Sequence, residues 1–182
     1  MSSPLGLQLD SLADMVTSGV APGFLMYKIF VVEFGSSSFL PYIGFIITLG
    51  ACYRLANFNI DERQSDSFIG LPTPANALFF GSLPLILMNY QDTLISDLLS
   101  KEWFLLALTF LSAYIMNAEI PLFSLKIKNF SFSKYKLQIG FLAAAVLLLI
   151  FFQYLGIPIV ILLYILLSII NNLSNKNKVS NG

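Results

Sequence analysis

Residues 137–170 read LQIGFLAAAVLLLIFFQYLGIPIVILLYILLSII, without one charged side chain. A helix crosses the hydrocarbon core of a bilayer with about 20 residues. The stretch therefore holds two spans, a fifth at about Leu137 to Tyr154 and a sixth at about Ile157 to Ile170. Only Leu155-Gly156 separates them, so a tight hairpin is expected. Four apolar segments come before: about Leu7 to Val32, expected to break at Gly19 to Gly23 around Pro22, then about Phe39 to Ala56, Thr73 to Tyr90 and Trp103 to Ala118. The fold class expected is all-α, a polytopic transmembrane bundle of about six spans over residues 1–170. The Asn/Lys/Ser-rich tail, residues 171–182, is expected to be disordered.

Composition agrees. Of the residues 57% are hydrophobic and 11% charged, against about a quarter charged in average globular proteins, and the mean hydropathy is +0.79. A water-soluble domain of this size has too much surface facing water to hide so much apolar side chain. Ten Lys+Arg balance ten Asp+Glu, so no basic stripe points to nucleic acid. There is no histidine, which excludes a Ser-His-Asp triad, an HExxH zinc motif and His-ligated iron or copper within this chain. A metal here must sit on carboxylates and carbonyls, which favours Mg²⁺, Mn²⁺ or Ca²⁺. The one cysteine, Cys52, lies in an apolar run and reads as an inert buried thiol. Met1-Ser2-Ser3-Pro4 carries no basic region of the secretory-signal kind.

Basic residues set an expected direction. Arg54 and Arg63 flank the connection after span two, Lys126, Lys128, Lys134 and Lys136 lie between spans four and five, and Lys176 and Lys178 are in the tail. Six alternating spans put all of these on one side, which the positive-inside rule makes cytoplasmic, together with both termini. The lysine run reads as a topology signal or a contact with anionic headgroups. Trp103 and Tyr90 read as anchors at the opposite interface.

Two clusters could carry chemistry. In Gly6-Leu-Gln-Leu-Asp10-Ser-Leu-Ala-Asp14 a spacing of four puts Gly6, Asp10 and Asp14 on one helical face. Acids in a membrane segment are costly and mark function, here a divalent-metal site; a solvated helix start, where acids suit the macrodipole, is the bland alternative. The second cluster runs from Arg54 to Asn76 through Asn57, Asn59, Asp61, Arg63, Asp66 and Gly70-Leu-Pro72-Thr-Pro74. It reads as a pocket for a small polar substrate, or as an ordinary solvated loop with Arg54 snorkelling. Glu119-Ile-Pro121 reads as a helix stop.

These residues resemble the CDP-alcohol phosphatidyltransferases, whose pattern is D-x-x-D-G-x-x-A-R, a spacer of about eight, then G-x-x-x-D-x-x-x-D. Gly6, Asp10 and Asp14 match the second half. The flanking Pro4 to Val16, Gly19-Val-Ala-Pro22-Gly23, Arg54-Leu-Ala-Asn-Phe-Asn59 and Phe68 to Asn76 are similar to the phosphatidylserine synthase branch, and the likeness covers essentially the whole chain. The first half of the pattern would fall upstream of Met1, so the expectation is an N-terminally truncated member whose 182 residues alone show no activity. A bare membrane fragment and a transporter bundle are the non-enzyme alternatives. Acids gathered at one face rather than at the midplane argue against transport.

The resemblance implies attack of the L-serine hydroxyl on the lipid-bearing phosphorus of CDP-diacylglycerol, giving phosphatidylserine and CMP at a bacterial cytoplasmic membrane with Mg²⁺ or Mn²⁺. It implies Asp10 as a metal ligand, Asp14 as a metal-proximal residue and general base, and Gly6 with Asp10 at the cytidine diphosphate, and it makes a homodimer the expected assembly. For serine, Arg54 is the first candidate for the carboxylate and Arg63 the second, with Asp61 or Asp66 for the ammonium. A sister enzyme transferring to glycerol phosphate or inositol phosphate is the runner-up; such acceptors call for a denser basic pocket than Arg54 and Arg63.

Overall fold

The computed structural model describes residues 3–61, 68–123 and 136–180. The first helix starts where Ser3, in extended conformation, accepts the Gly6 N–H on its Oγ at 3.0 Å, with Pro4 in the first turn. α1 (Pro4–Asp14) leads through a π-helical segment (Met15–Val20) into α2 (Ala21–Phe34). The break expected at Gly19 to Gly23 is therefore absent. Pro22 has no N–H to give and would interrupt an α ladder. The ladder widens instead: Ala21 N–H reaches back to Val16 O, and Thr48 Oγ1 donates to Gly19 O at 2.9 Å. Gly35, at φ +85, ends α2.

A 3₁₀ segment (Leu40–Phe45) opens the second apolar stretch and continues as α3 (Ile46–Phe58). A Cβ on Gly44 would stand 2.7 Å from Tyr27 N, so only glycine lets this segment lie directly on α2. α4 (Thr73–Asn89) and α6 (Glu102–Asn117) fall where the apolar stretches predict, with the short α5 (Leu94–Leu99) between them. α3 and α6 cross at Gly50, where a Cβ would meet Ala113 Cβ at 3.0 Å, and Asn117 Nδ2 donates to Gly50 O at 3.0 Å. Between the helices Met26, Phe30, Ile47, Phe80, Leu105 and Met116 are almost wholly buried. One departure from all-α is a two-residue ladder, β1 (Phe68–Ile69) antiparallel to β2 (Pro121–Leu122).

α7 (Lys136–Ser180) folds back on itself at Gln153, whose φ of 46° and ψ of −118° are not helical. In a straight helix Phe141 and Tyr164 would stand about 35 Å apart; their rings lie 5.5 Å apart. The hairpin expected at Leu155-Gly156 thus turns two residues earlier, and Gly156 rests on the Leu148 and Leu149 backbone, which a Cβ would meet at 2.7 and 3.0 Å. The second arm pins the strand segment: Tyr164 Oη donates to Phe123 O at 2.9 Å and Asn172 Nδ2 to Pro121 O at 2.6 Å. The helix runs to Ser180.

Among the described residues, Pro4–Phe34 and Lys136–Ser174 are long and apolar enough to cross a membrane, and Glu102–Asn117 is a shorter apolar helix. Large apolar side chains face outward, among them Val32, Ile150 and Phe151 at 79%, 66% and 77% exposure. Water on that surface would be costly, whereas hydrocarbon suits it.

Candidate active site

The acidic face lies on α1. Asp10 is exposed and Asp14 half-buried, one helical turn apart, and Gly6 is exposed one turn before Asp10. A Cβ on Gly6 would meet only Ser3 Oγ, at 3.2 Å, so the face is open there. No three acidic or cysteine side chains gather into a metal-binding group among the described residues. The donor set is two hard carboxylates on one face. It suits a small dication such as Mg²⁺, which takes one or two carboxylates and fills its shell with water and phosphate oxygens; it does not by itself build a two-ion centre.

The second cluster is built around Arg54, which sits in the last turns of α3 and is 7% exposed. Its Nη1 donates to Ile69 O at 2.8 Å and to Met116 O, and its Nη2 donates to Gly70 O at 3.0 Å. Met116 O is among the last carbonyls of α6, which have no partner within their own helix. The guanidinium therefore ties the end of α6 to the strand β1 and its exit, and it does not snorkel to solvent. Gly70 makes the approach possible at φ +76: a Cβ there would lie 2.5 Å from Met116 O and 2.7 Å from Arg54 Nη1.

Arg54 also forms part of the wall of a cavity of about 140 Å³, shared with Tyr53, Asn57, Asp61, Asn117 and Glu119. Two of the four residues proposed for serine, Arg54 and Asp61, thus share one polar cavity. Arg63 and Asp66 lie outside the described residues. Asn57, Asn117 and Glu119 add further polar groups to the wall. The spacing Arg54-x-x-Asn57 on one helical face was the available signal for Asn57; nothing local marked Asn117, the last residue of α6, or Glu119, just beyond it, as part of a site.

A polar clasp links the two clusters. Asn59 Nδ2 donates to Ser11 Oγ at 2.9 Å, and the Ser11 hydroxyl lies 3.2 Å from Asn59 Oδ1. Ser11 follows Asp10 directly, and Asn59 stands between Arg54 and Asp61, so the clasp holds the acidic helix beside the end of α3.

No protein-family model matches the chain. Curated relatives do. The CDP-diacylglycerol–serine O-phosphatidyltransferase of Bacillus subtilis is 36% identical over 92 residues, covering 48% of this chain and 46% of that protein. The archaetidylserine synthase of Methanothermobacter thermautotrophicus is 36% identical over 80 residues, 44% of this chain and 33% of the relative. The chain thus spans less than half the length of these two. The CDP-diacylglycerol–serine O-phosphatidyltransferase of Helicobacter pylori strain 26695 is 32% identical over an alignment of 190 residues, 97% of this chain and 74% of that protein. With a likeness that runs from the acidic helix through the hairpin, this membrane protein belongs to the CDP-diacylglycerol–serine O-phosphatidyltransferase family.

Proposed function

We propose that the residues of this chain serve transfer of a phosphatidyl group from CDP-diacylglycerol to L-serine, with release of CMP. The carrying observation is the relative of that name aligned over 97% of the chain. Asp10 and Asp14 would hold Mg²⁺ or Mn²⁺, which would neutralise pyrophosphate oxygens when bound. Asp14, the less exposed of the two, would accept the proton of the serine hydroxyl. Gly6 leaves the α1 face open for the cytidine diphosphate. The polar cavity suits serine. Arg54 bears its positive charge there for the carboxylate while three carbonyls fix its plane, and Asp61 supplies a negative charge for the ammonium.

Six spans are the reading that the apolar stretches of the sequence support: 4–34, 40–58, 73–89 and 102–117 and the two arms of α7. In that reading the acidic face, the polar cavity and both termini lie on the cytoplasmic side. A homodimer remains the assembly we propose.

The test is thin-layer analysis of lipids from membranes given CDP-diacylglycerol and labelled serine or labelled glycerol phosphate. Labelled phosphatidylserine is expected when the D-x-x-D-G-x-x-A-R segment of a relative is joined ahead of the chain. Label entering lipid from glycerol phosphate instead would replace the acceptor. Transfer to neither would leave an inert membrane fragment.

A further inference from the structure

Asn76, in the first turns of α4, is 2% exposed. Its Oδ1 accepts from Ser112 Oγ at 2.7 Å, while its Nδ2 is buried with no partner. A buried donor left unmade is costly, and the cost is not relieved by bulk water in a membrane. Asn76 and Ser112 lie in the wall of a cavity of about 50 Å³ between α4, α6 and the second arm of α7. Its other walls are apolar, among them Leu71, Phe79, Leu108 and Ile161. Leu111 and Leu162, also in the wall, are 52% and 50% exposed, so the cavity opens onto the apolar outer surface.

The chemistry of the wall selects the occupant. A buried water needs two to four polar partners; this site offers the Asn76 amide and a Ser112 hydroxyl already committed to it. An occupant with a single acceptor and a long apolar remainder satisfies Nδ2 and the rest of the wall together. An acyl ester has that form. The site also has a fitting neighbour. Ser112 stands four residues before Met116 on α6, about 6 Å along its axis from the wall of the polar cavity. We propose that this cavity is an acyl-ester site: Asn76 Nδ2 donates to an ester carbonyl of a glycerolipid that enters from the bilayer, with its chain along Leu111 and Leu162. The site requires no assumption about the transfer reaction; with the proposed donor bound, it would take an ester of CDP-diacylglycerol.

The purified full chain, in nanodiscs of dialkyl ether phospholipid, is given a small fraction of lipid labelled with ¹³C at the ester carbonyls. One arm uses CDP-diacylglycerol and the other phosphatidylglycerol, to separate a substrate lipid from a bulk one. Isotope-edited infrared spectra should show a carbonyl band moved to lower frequency in the wild type in at least one arm and lost in Asn76→Leu. Binding of the diester form of that lipid should exceed that of its dialkyl ether by about fivefold in the wild type and equal it in the variant. The ester-to-ether ratio of the wild type needs no variant to fold. No shifted band in either arm, a band that persists in Asn76→Leu, or equal binding of ester and ether by the wild type would overturn the proposal. Such a failure leaves the serine-transfer reading untouched, because that is read from labelled headgroup.

Discussion

At Gly70 a single hydrogen in place of a methyl group decides whether the α6 end can be tied down. Gly70→Ala would put a Cβ against Met116 O and Arg54 Nη1 and hold an L side chain at φ +76. Strain of this kind costs about 1–3 kcal/mol, to which the displaced guanidinium bonds add. Thermal unfolding in detergent should show a clear fall in midpoint, with loss of whatever activity the wild type has. An unchanged midpoint would mean that the strand exit is not fixed by Arg54. At the acidic face the expectation concerns charge. Asp10→Asn and Asp14→Asn should each weaken Mn²⁺ binding, followed by electron paramagnetic resonance, by about tenfold or more, since removing a unit charge next to a dication exceeds about 1.4 kcal/mol even in water. Loss in neither variant would remove the metal from this face. The candidate residues were legible because Gly6, Asp10, Asp14 and Arg54 are chemically conspicuous in apolar sequence. What Arg54 touches was not legible: its carbonyl partners are 15, 16 and 62 residues away, and backbone acceptors carry no residue-type signature.

Elements followed their hydrophobic lengths, and they departed from expectation where backbone accounting took over. α4 and α6 lie within a residue or so of the apolar stretches that predict them. Pro22 and the glycines around it signalled a break, because a proline interrupts an α ladder. Periodicity has no term for a ladder that widens by one residue while Thr48 donates to the Gly19 carbonyl beside it. The hairpin in α7 was legible from Leu155-Gly156, yet the reversal falls on Gln153, while Gly156 serves close packing against Leu148. Tyr90 Oη donates to Phe152 O at 2.7 Å, which holds the chain at the turn from outside it. A glutamine at φ 46°, ψ −118° is strained, and glycine is not. Gln153→Gly should therefore raise the unfolding midpoint, by the equivalent of about 1 kcal/mol, without moving the turn. Gln153→Val, with a branched Cβ in the same place, should lower it. If both variants lowered it equally, the side chain of Gln153 rather than its backbone would be what the turn needs.

Across the whole molecule, direction is the property on which the functional reading depends, because CDP-diacylglycerol presents its nucleotide on one side only. The clasp between Ser11 and Asn59 puts the acidic helix and the end of α3 at one end of the bundle. The links between α2 and the 3₁₀ segment, and between α4 and α6, lie at the other. On the six-span reading the connections that carry most lysines and arginines fall at the first end, and the second carries Glu33, Asp92, Asp97 and Glu102 against Lys101 and Lys28, which shares a cavity wall with Glu33. Cys52, the one native cysteine, is exposed rather than buried as its apolar neighbours suggested, so it must be replaced by serine before positions are tested singly. On that background Ser37→Cys and Ser100→Cys, both at exposed sites, should react with a membrane-impermeant maleimide in intact spheroplasts. Lys136→Cys, at the start of the hairpin, should react only after the membrane is opened. The reverse pattern would place the acidic face outside, away from the nucleotide, and would break the functional reading while leaving every helix where it is. Labelling at Ser37 and Lys136 from the same side would instead remove one span from the six. The experiment therefore separates an error in direction from an error in span number, which a count of hydrophobic stretches cannot do.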